Sequence, residues 1–269
     1  MKKSIILSII IVCVSVVIAG EKTKLRVEGS TTVLPIAQLA AEEFMNANPN
    51  VTISIQGGGS GVGIASLMDK NCDIAISSRA MKDDEIKNAI AKGVNPVAHI
   101  VAMDGIAIIL HPSNKVSSLT VEQIRKIYTG KISNWKEVGG EDKKIVVLSR
   151  DSASGTFEAF AKLALNGEKV RKDALMNASN KAIATTVENT PAAIGYVGVG
   201  YITKKVKAIT VENVTCTKKN ILTKTYPLSR PLFMYTNGKP KGAVKEFIDF
   251  ILSAEGQELV ETVGYVGLK

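Results

Sequence analysis

The amino-acid sequence predicts an α/β protein of two lobes, each a mixed β-sheet flanked by helices. A succession of strand, polar loop and helix occurs three times before residue 93, with short connections, and this order is typical of a largely parallel sheet covered by helices. The length of 269 residues exceeds what one hydrophobic core commonly serves, which favours two lobes. Two extended apolar stretches, residues 96–110 and 226–236, predict strand-like crossings that form a hinge between the lobes.

The first lobe begins with the three repeated units. Each strand is apolar or alternates, and each following loop carries hydroxyl residues or glycines just before a helix. Because the carboxyl ends of parallel strands meet at one edge of a sheet, we expect these loops to converge on one side. The strands are predicted at 24–28, 51–55 and 73–76, the loops at 29–32, 56–63 and 77–79, and the helices at 33–46, from 64 onward and at 82–92.

The middle of the chain is predicted to cross into the second lobe. Residues 96–100 and 105–110 have the composition of apolar strands, interrupted at Met103 and Asp104. Trp135 is predicted to be a packing residue rather than a platform for a ligand. Further along, helices are predicted at 121–128, 157–165, 162–175 and 181–188, strands at 144–149, 191–201 and 206–211, a surface segment at 214–224, and closing helices at 241–253 and 255–263.

The loop at residues 150–156 (RDSASGT) has the layout of an anion site, since it lies between a strand pattern and a helix pattern. Ser154, Gly155 and Thr156 at a helix start offer uncommitted backbone N–H groups, hydroxyl donors and the positive end of the helix dipole. Arg150 adds a planar cation. Ser and Thr are also ordinary helix caps, so the loop alone is equally consistent with a structural role.

Known catalytic and metal-binding motifs are missing from the sequence. The glycine run at residues 56–63 has neither the Lys of a Walker motif nor dinucleotide spacing. Of the two histidines, His99 and His111, both fall in apolar strand contexts, where a structural role is more common than a catalytic one. A nucleophilic Ser154 needs a base held by a third group, and the sequence supplies no candidate. We therefore expect binding without turnover, with no cofactor and no metal.

The charge pattern argues against a nucleic-acid partner. The chain has 34 Lys and Arg against 25 Asp and Glu, a net charge of +9, yet only 5% aromatic residues. Nucleic-acid binding favours a dense basic stripe with interleaved aromatics, whereas these lysines are scattered. The excess charge predicts a solvated surface with a mild attraction for anions.

The amino terminus predicts export from the cytoplasm. Lys2 and Lys3 precede an apolar run at 5–19 that ends in small residues, which is the pattern of a signal peptide at residues 1–20. An uncleaved membrane anchor remains an alternative. A lipid anchor is not expected, because Glu21 stands where a lipidated cysteine belongs. In the oxidising compartment that this implies, Cys72 and Cys216 either pair or remain free thiols.

Six segments, taken in order along the chain, carry a family resemblance. They are 29–32 (GSTT), 59–61 (GSG), 73–79 (DIAISSR), 150–156 (RDSASGT), 194–196 (IGY) and 226–230 (YPLSR). The ordered set resembles the extracytoplasmic phosphate-binding proteins of phosphate ABC transporters, over nearly the whole mature chain.

The resemblance implies a type II-like periplasmic-binding-protein fold, with residues 21–105 and 226–269 in one lobe and 106–225 in the other. It implies a monomer that clamps inorganic phosphate between the lobes and delivers it to a membrane permease. Carried over position by position, the ligand-binding residues are Thr31, Thr32, Ser60, Ser78, Arg150, Ser154, Gly155 and Thr156.

Three positions depart from the family pattern. Ser78 stands where many members have an Asp that accepts the proton of hydrogen phosphate, so selectivity against sulfate depends on another acceptor, for example Asp104. Asp151 lies one residue closer to Arg150 than the usual acidic partner, which leaves their salt link open. Thr32 occupies a position that is often aromatic.

Alternative functions remain at this point. A site for sulfate, molybdate or tungstate belongs to the same class of binding protein. A secreted phosphate-ester hydrolase using Ser154 or Thr31, and a cell-surface adhesion or sensing module, belong to different classes.

Overall fold

The computed structural model describes residues 22–268, so the predicted signal peptide, Cys13 and Glu21 lie outside the described residues. Eleven strands occur within this range. They are β1 (Thr23–Gly29), β2 (Val51–Gly57), β3 (Ile74–Ser77), β4 (Pro96–Leu110), β5 (Ser118–Leu119), β6 (Val146–Arg150), β7 (Leu175–Asn177), β8 (Ala193–Gly198), β9 (Lys207–Ala208), β10 (Thr210–Val211) and β11 (Ser229–Asn237).

Nine α-helices and two short 3-10 helices occupy the same described range. The α-helices are α1 (Leu34–Ala47), α2 (Ser60–Met68), α3 (Asp83–Ala91), α4 (Val121–Thr129), α5 (Gly155–Leu163), α6 (Asn180–Glu188), α7 (Lys218–Leu222), α8 (Gly242–Leu252) and α9 (Ala254–Thr262). The 3-10 helices are Trp135–Val138 and Val199–Tyr201.

One curled mixed sheet runs through the whole molecule. Its strand order is β2-β1-β3-β11-β4-β8-β6-β7, and β9 pairs with β4 at one side. The strands β1, β2 and β3 are parallel to one another, and β6 is parallel to β7 and β8. Each parallel group belongs to a different lobe, so the predicted α/β architecture with two mixed, helix-flanked halves is confirmed.

The long strand β4 connects the two halves. From Pro96 to Gly105 it pairs antiparallel with β11, and from Ile106 to Leu110 it pairs antiparallel with β8. We call β1, β2, β3, β11 and the first part of β4, with their helices, lobe one, and the part built on β6 to β8 lobe two. The exact division at residues 105 and 226 stays a prediction.

The predicted interruption of this strand at Met103 and Asp104 is wrong. Asp104 is fully buried, but its carboxylate is paired with the side chain of Arg230, its neighbour on β11. A buried charge that has a partner of opposite charge and hydrogen bonds does not need to leave the sheet. The strand therefore continues through a polar position that the sequence pattern marks as a break.

Each lobe has its own apolar core. In lobe one, Val27, Ile76 and Met234 from the sheet pack against helices α1, α8 and α9, and Ile64 and Leu67 of α2 cover the opposite face. In lobe two, a cluster of buried side chains joins β4 and β8 to α4 and α5. Trp135 is buried in this second core and donates its indole N–H to the Ala192 carbonyl, so the packing role predicted for it is confirmed.

Two predicted segments differ from the structure. The helix expected at 162–175 is wrong, because α5 ends at Leu163 and the backbone turns left-handed at Asn166 and Gly167, with φ of 51° and 79°. Asn and Gly are the residues that tolerate this conformation at the end of a helix. The segment 214–224, expected at the surface, contains the short helix α7, whose Ile221 is fully buried.

Other features bear on the class of protein. Along residues 22–268 every helix falls short of the length and apolar content needed to cross a bilayer. Cys72 and Cys216 are both free, so the pairing that the sequence left open does not occur in this structure.

Candidate ligand site between the lobes

The eight predicted ligand residues lie together where the two lobes meet. All of them are buried, with the seven that carry side chains between 0% and 8% exposed. Thr31 and Thr32 follow β1, Ser60 begins α2, Ser78 follows β3, Arg150 ends β6, Ser154 caps α5, and Gly155 and Thr156 form the first turn of α5. The predicted convergence of polar loops at the carboxyl ends of the strands is therefore confirmed.

The two lobes contact each other directly at these residues. The hydroxyl oxygens of Thr32 and Thr156 are 2.7 Å apart, and the Gly61 N–H donates to the Ala153 carbonyl at 3.0 Å. Gly155 lies so close to lobe one that a Cβ at this position would be 2.2 Å from the Ser60 hydroxyl oxygen. The site is thus closed, and glycine is required where the lobes approach most nearly.

Arg150 is a buried cation with an uncommitted donor. Its Nε donates to the Asn177 carbonyl at 2.9 Å and its Nη2 to the Ala178 carbonyl at 3.0 Å. Its Nη1 is buried without a hydrogen-bond partner. Burial lowers the pKa of Arg150, and the nearby charge of Asp151 opposes that shift. Among residues 22–268 no carboxylate forms an ion pair with this guanidinium within 4.0 Å, so an anion is the partner that it lacks.

The carboxylate of Asp151 shapes the loop instead of pairing with Arg150. Its Oδ1 accepts a hydrogen bond from the Ala153 N–H at 2.9 Å, and its carbonyl accepts one from the Ser154 N–H at 3.2 Å. The link to Arg150 that the sequence left open is electrostatic only, without an ion-pair contact.

The start of α5 adds further donors beside Arg150. The Ser154 hydroxyl caps the helix by accepting from the Phe157 N–H at 3.2 Å. The N–H groups of Gly155 and Thr156 have no partner among the described residues. Free N–H groups at a helix start, with the positive end of the helix dipole, form a preorganised environment for an anion.

On the side of lobe one, serine hydroxyls meet at the start of α2. The Ser78 N–H donates to the Ser60 hydroxyl oxygen at 3.0 Å, and the two hydroxyl oxygens are 3.3 Å apart. The Thr32 N–H donates to the hydroxyl of Ser30 at 3.1 Å. Thr32 therefore presents its hydroxyl, rather than its N–H, towards lobe two.

The sequence reasoning missed three buried or half-buried residues at the site, Asn180, Tyr201 and Arg230, and named Asp104 only as an alternative acceptor. Asn180 of α6 donates from Nδ2 to the hydroxyls of Thr31 and Thr32, at 3.1 Å and 2.9 Å. The Tyr201 hydroxyl donates to the Thr31 carbonyl at 2.6 Å. Asp104 and Arg230 form the buried pair already described. For Asn180 a signal was present, because it begins a helix directly after a strand, as the predicted ligand residues do.

Asp104 does not provide a free acceptor for a ligand. Its Oδ2 accepts from Arg230, and its Oδ1 accepts from the Val199 N–H at 2.9 Å. Burial raises the pKa of Asp104, and the charge of Arg230 together with these hydrogen bonds opposes the rise. The carboxylate is thus committed to the protein itself.

A network of ion pairs also crosses between the lobes, next to the site. Arg79, directly after Ser78, contacts Glu158 of α5 at 3.0 Å, and Lys82 contacts the same carboxylate at 2.7 Å. Arg79 also binds Glu85 through two hydrogen bonds of 2.7 Å. Burial raises the pKa of Glu85, but the bonds from Arg79 and the Lys82 N–H outweigh it, and the net shift is downward.

Comparison with known proteins agrees with this geometry. The family model described as "PBP superfamily domain" matches residues 17–255. The phosphate-binding protein PstS of Bacillus subtilis (strain 168) is 36% identical over 244 residues, which cover 90% of this chain and 80% of that protein. PstS of Borreliella burgdorferi is 36% identical over 253 residues, which cover 90% of this chain and 88% of that protein.

This chain belongs to the PBP superfamily and, within it, to the PstS family. A crystal structure from Clostridium perfringens, described as a phosphate ABC transporter substrate-binding protein with bound phosphate, has a TM-score of 0.86 and 36% identity, and the match covers 92% of this chain and all (100%) of that one. The resemblance noted in the sequence is thereby confirmed, as is the two-lobed fold that it implied. The individual ligand roles of the eight residues stay a prediction.

Proposed function

We propose that this protein captures inorganic phosphate between its lobes and delivers it to the permease of an ABC transporter. The observation that carries the proposal is the buried guanidinium of Arg150, whose Nη1 has no partner, beside the free N–H groups of Gly155 and Thr156. Membership of the PstS family supports phosphate as the anion, because the relatives are named as phosphate-binding proteins.

In this proposal both lobes contribute donors. Arg150, Ser154, Gly155 and Thr156 hold the anion from lobe two, and Thr31, Thr32, Ser60 and Ser78 hold it from lobe one. Hydrogen bonds to an ionised acceptor are short and strong, and closure of the lobes removes the water that competes with them. A dianion is thus stabilised by many fixed dipoles around a single uncompensated cation.

The choice among tetrahedral oxyanions rests on hydroxyl groups. Both oxygens of the Asp104 carboxylate accept from protein donors, and the Asp151 carboxylate accepts from the Ala153 N–H. In this proposal a hydroxyl, such as that of Ser78, accepts the proton of hydrogen phosphate. A hydroxyl also donates, and therefore rejects fully ionised sulfate less strongly than a carboxylate does. Sulfate, molybdate and tungstate are for this reason the second candidate ligands.

Binding without turnover follows from the same geometry. The Ser154 hydroxyl is engaged as a helix cap, and neither histidine contacts the site: His99 bonds to Thr236 and His111 to Ser113. Proteins of this family bind substrates for transport. Incubation with a chromogenic phosphate ester is expected to release no product.

The proposed location is outside the cytoplasm, on the strength of the signal-peptide pattern at residues 1–20 and of the family. The permease partner and a monomeric state belong to the same proposal.

The experiment that tests the ligand is titration calorimetry of the purified protein with phosphate and with sulfate, each at two pH values. We expect tight phosphate binding and a measurable but weaker affinity for sulfate. Absence of heat with phosphate, together with tight binding of another oxyanion, would reassign the ligand within the same class.

A further inference from the structure

Arg230 stands out because every N–H group of its guanidinium is used by the protein. Nε and one Nη2 hydrogen bind the Asp104 carboxylate, with heavy-atom distances of 2.8 Å and 2.7 Å. Nη1 contacts the carbonyls of Ser78 and Gly155 at 3.1 Å and 3.4 Å, and Nη2 contacts the Thr156 hydroxyl at 3.0 Å. Arginine has five N–H donors, so this side chain has none left for a ligand.

These contacts extend into both lobes from the hinge. Asp104 and Arg230 lie opposite each other, Asp104 on β4, which connects the lobes, and Arg230 on β11 of lobe one. Ser78 belongs to lobe one, and Gly155 and Thr156 belong to lobe two. Asp104 is fully buried and Arg230 is 5% exposed, so the guanidinium is held rigidly at the point where the closed lobes touch.

The contacts of Arg230 with Thr156 and Thr32 occupy lone pairs of these two hydroxyl groups. A hydroxyl group carries one proton and accepts through its lone pairs. Arg230 donates to the Thr156 oxygen at 3.0 Å and more distantly to the Thr32 oxygen at 3.5 Å, and Asn180 donates to the Thr32 oxygen at 2.9 Å. One of these two hydroxyls donates to the other across 2.7 Å. The hydroxyl that accepts in this bond keeps its own proton, which is available for a hydrogen bond to an anion.

We propose that Arg230, held by Asp104, is a positioning residue for the oxyanion site. It does not touch the anion, but by occupying lone pairs of the hydroxyl pair Thr32 and Thr156 it leaves one hydroxyl proton of that pair for the anion, and it joins the lobes in the closed form. This inference rests on the proposed function. Asp104 neutralises the charge of Arg230, which leaves Arg150 as the cation that attracts the ligand.

A double-mutant cycle on phosphate affinity tests the inference. Arg230→Gln, Thr156→Val and the double variant are titrated with phosphate by calorimetry, beside the wild-type protein. We expect each single variant to bind phosphate about tenfold or more weakly, since each leaves a buried polar group unpaired. Because Arg230 acts through the Thr156 hydroxyl, the affinity of the double variant for phosphate should fall by much less than the product of the two single-variant losses.

Arg230→Lys keeps a cation beside Asp104, so this variant distinguishes a loss of phosphate affinity from a failure to fold. Lysine is a compact charge without the planar fork, so this variant should keep the melting temperature of the wild type and still bind phosphate about tenfold more weakly. Arg125→Gln, a half-buried arginine of α4 remote from the site, is the matched control and should bind like the wild type.

The outcomes separate the inference from the proposed function. If the wild-type protein shows no phosphate binding, the proposed function fails. If the wild type binds phosphate while Arg230→Lys binds within twofold of it, or the losses in the cycle multiply in full, the positioning role of Arg230 is overturned.

Discussion

Thr32 and Thr156 are separated by 124 residues in the chain, and their hydroxyl oxygens lie 2.7 Å apart. Thr32 follows the first strand of lobe one, and Thr156 lies in the first turn of the helix that follows β6 in lobe two. This contact joins the two lobes directly, so it links the arrangement of the lobes to the chemistry of the site.

Removal of Arg150 should weaken phosphate binding more than any other single change at the site. Truncating one partner of a buried, hydrogen-bonded charge pair costs about 2–5 kcal/mol, so Arg150→Ala should bind phosphate on the order of a hundredfold more weakly. Titration calorimetry measures the change, with Arg125→Ala as the matched control. An unchanged affinity would remove Arg150 from the ligand site.

A methyl group at position 155 should keep the lobes from closing. The added Cβ would lie 2.2 Å from the Ser60 hydroxyl oxygen and 2.8 Å from that of Ser78, closer than such atoms approach. Gly155→Ala should therefore bind phosphate at least about tenfold more weakly, by an estimate of strain of a few kcal/mol. Small-angle scattering should show a larger radius of gyration with phosphate present than for the wild type.

Gly57→Ala is the control for that experiment, because its Cβ would meet neighbours at 3.4 Å, an ordinary contact distance. It should close and bind as the wild type does. Equal effects of the two substitutions would mean that closure does not depend on the space at Gly155.

The ion pair between Arg79 and Glu158 should slow the release of phosphate. Glu158→Gln removes the carboxylate that Arg79 and Lys82 share. Because these side chains are partly buried and join the two lobes, we expect dissociation to become about two- to tenfold faster, with little change in the association rate. Stopped-flow fluorescence with a displaced phosphate sensor measures both rates.

Glu122→Gln provides the matched comparison, since Glu122 pairs with Arg125 within one helix of lobe two. Its dissociation rate should equal that of the wild type. A dissociation rate of Glu158→Gln that also matches the wild type would show that the interlobe pair does not hold the closed form.

Alkaline pH should destabilise the fold through the buried thiol of Cys72 and the partly buried thiol of Cys216. Burial raises the pKa of Cys72 to about 11 and that of Cys216 to about 12, from a value of 9.0 in the unfolded chain. Between about pH 9 and 11 the native state therefore binds more protons than the unfolded state, and the free energy of unfolding falls as the pH rises. Below pH 9 both states are protonated and this contribution is fully present.

Urea unfolding at pH 8, 9, 10 and 11 measures this dependence. Each of the two thiols should lower the free energy of unfolding by about 1.4 kcal/mol per pH unit within the window. Cys216→Ala should reduce the slope of the free energy of unfolding against pH by one such contribution. If the variant and the wild type have the same slope, Cys216 ionises in the native state as it does in the unfolded chain.

The fold class and most of the candidate site were predictable from local sequence. Strands such as β1 and β3, with hydroxyl-rich loops before helices, follow from hydrophobic periodicity and capping preferences, which are properties of neighbouring residues. Since the carboxyl ends of parallel strands share one edge of a sheet, the convergence of Thr31, Ser60 and Ser78 followed from the topology alone.

Pairs that form across long separations in the chain were not predictable. Asp104 looked like a break in a strand, and Arg230 was noted only as part of an extended crossing, because the sequence does not show that the two side chains meet. Only their registration on β4 and β11 makes them a neutral, buried pair. The wrong helix at 162–175 has a different cause, because Asn166 and Gly167 are a local signal for a left-handed turn that the helical pattern outweighed.

By itself, the sequence determined the alternation of strands, polar loops and helices, and the presence of an arginine beside a helix start. Those features depend on residues within one or two turns of each other. The tertiary structure decided which donors remain free for an anion, because hydrogen bonds such as those of Asn180 to Thr32 and Arg230 to Thr156 form only when distant segments meet. Arg150 keeps an uncommitted N–H while Arg230 does not, and that difference arises from packing rather than from residue type.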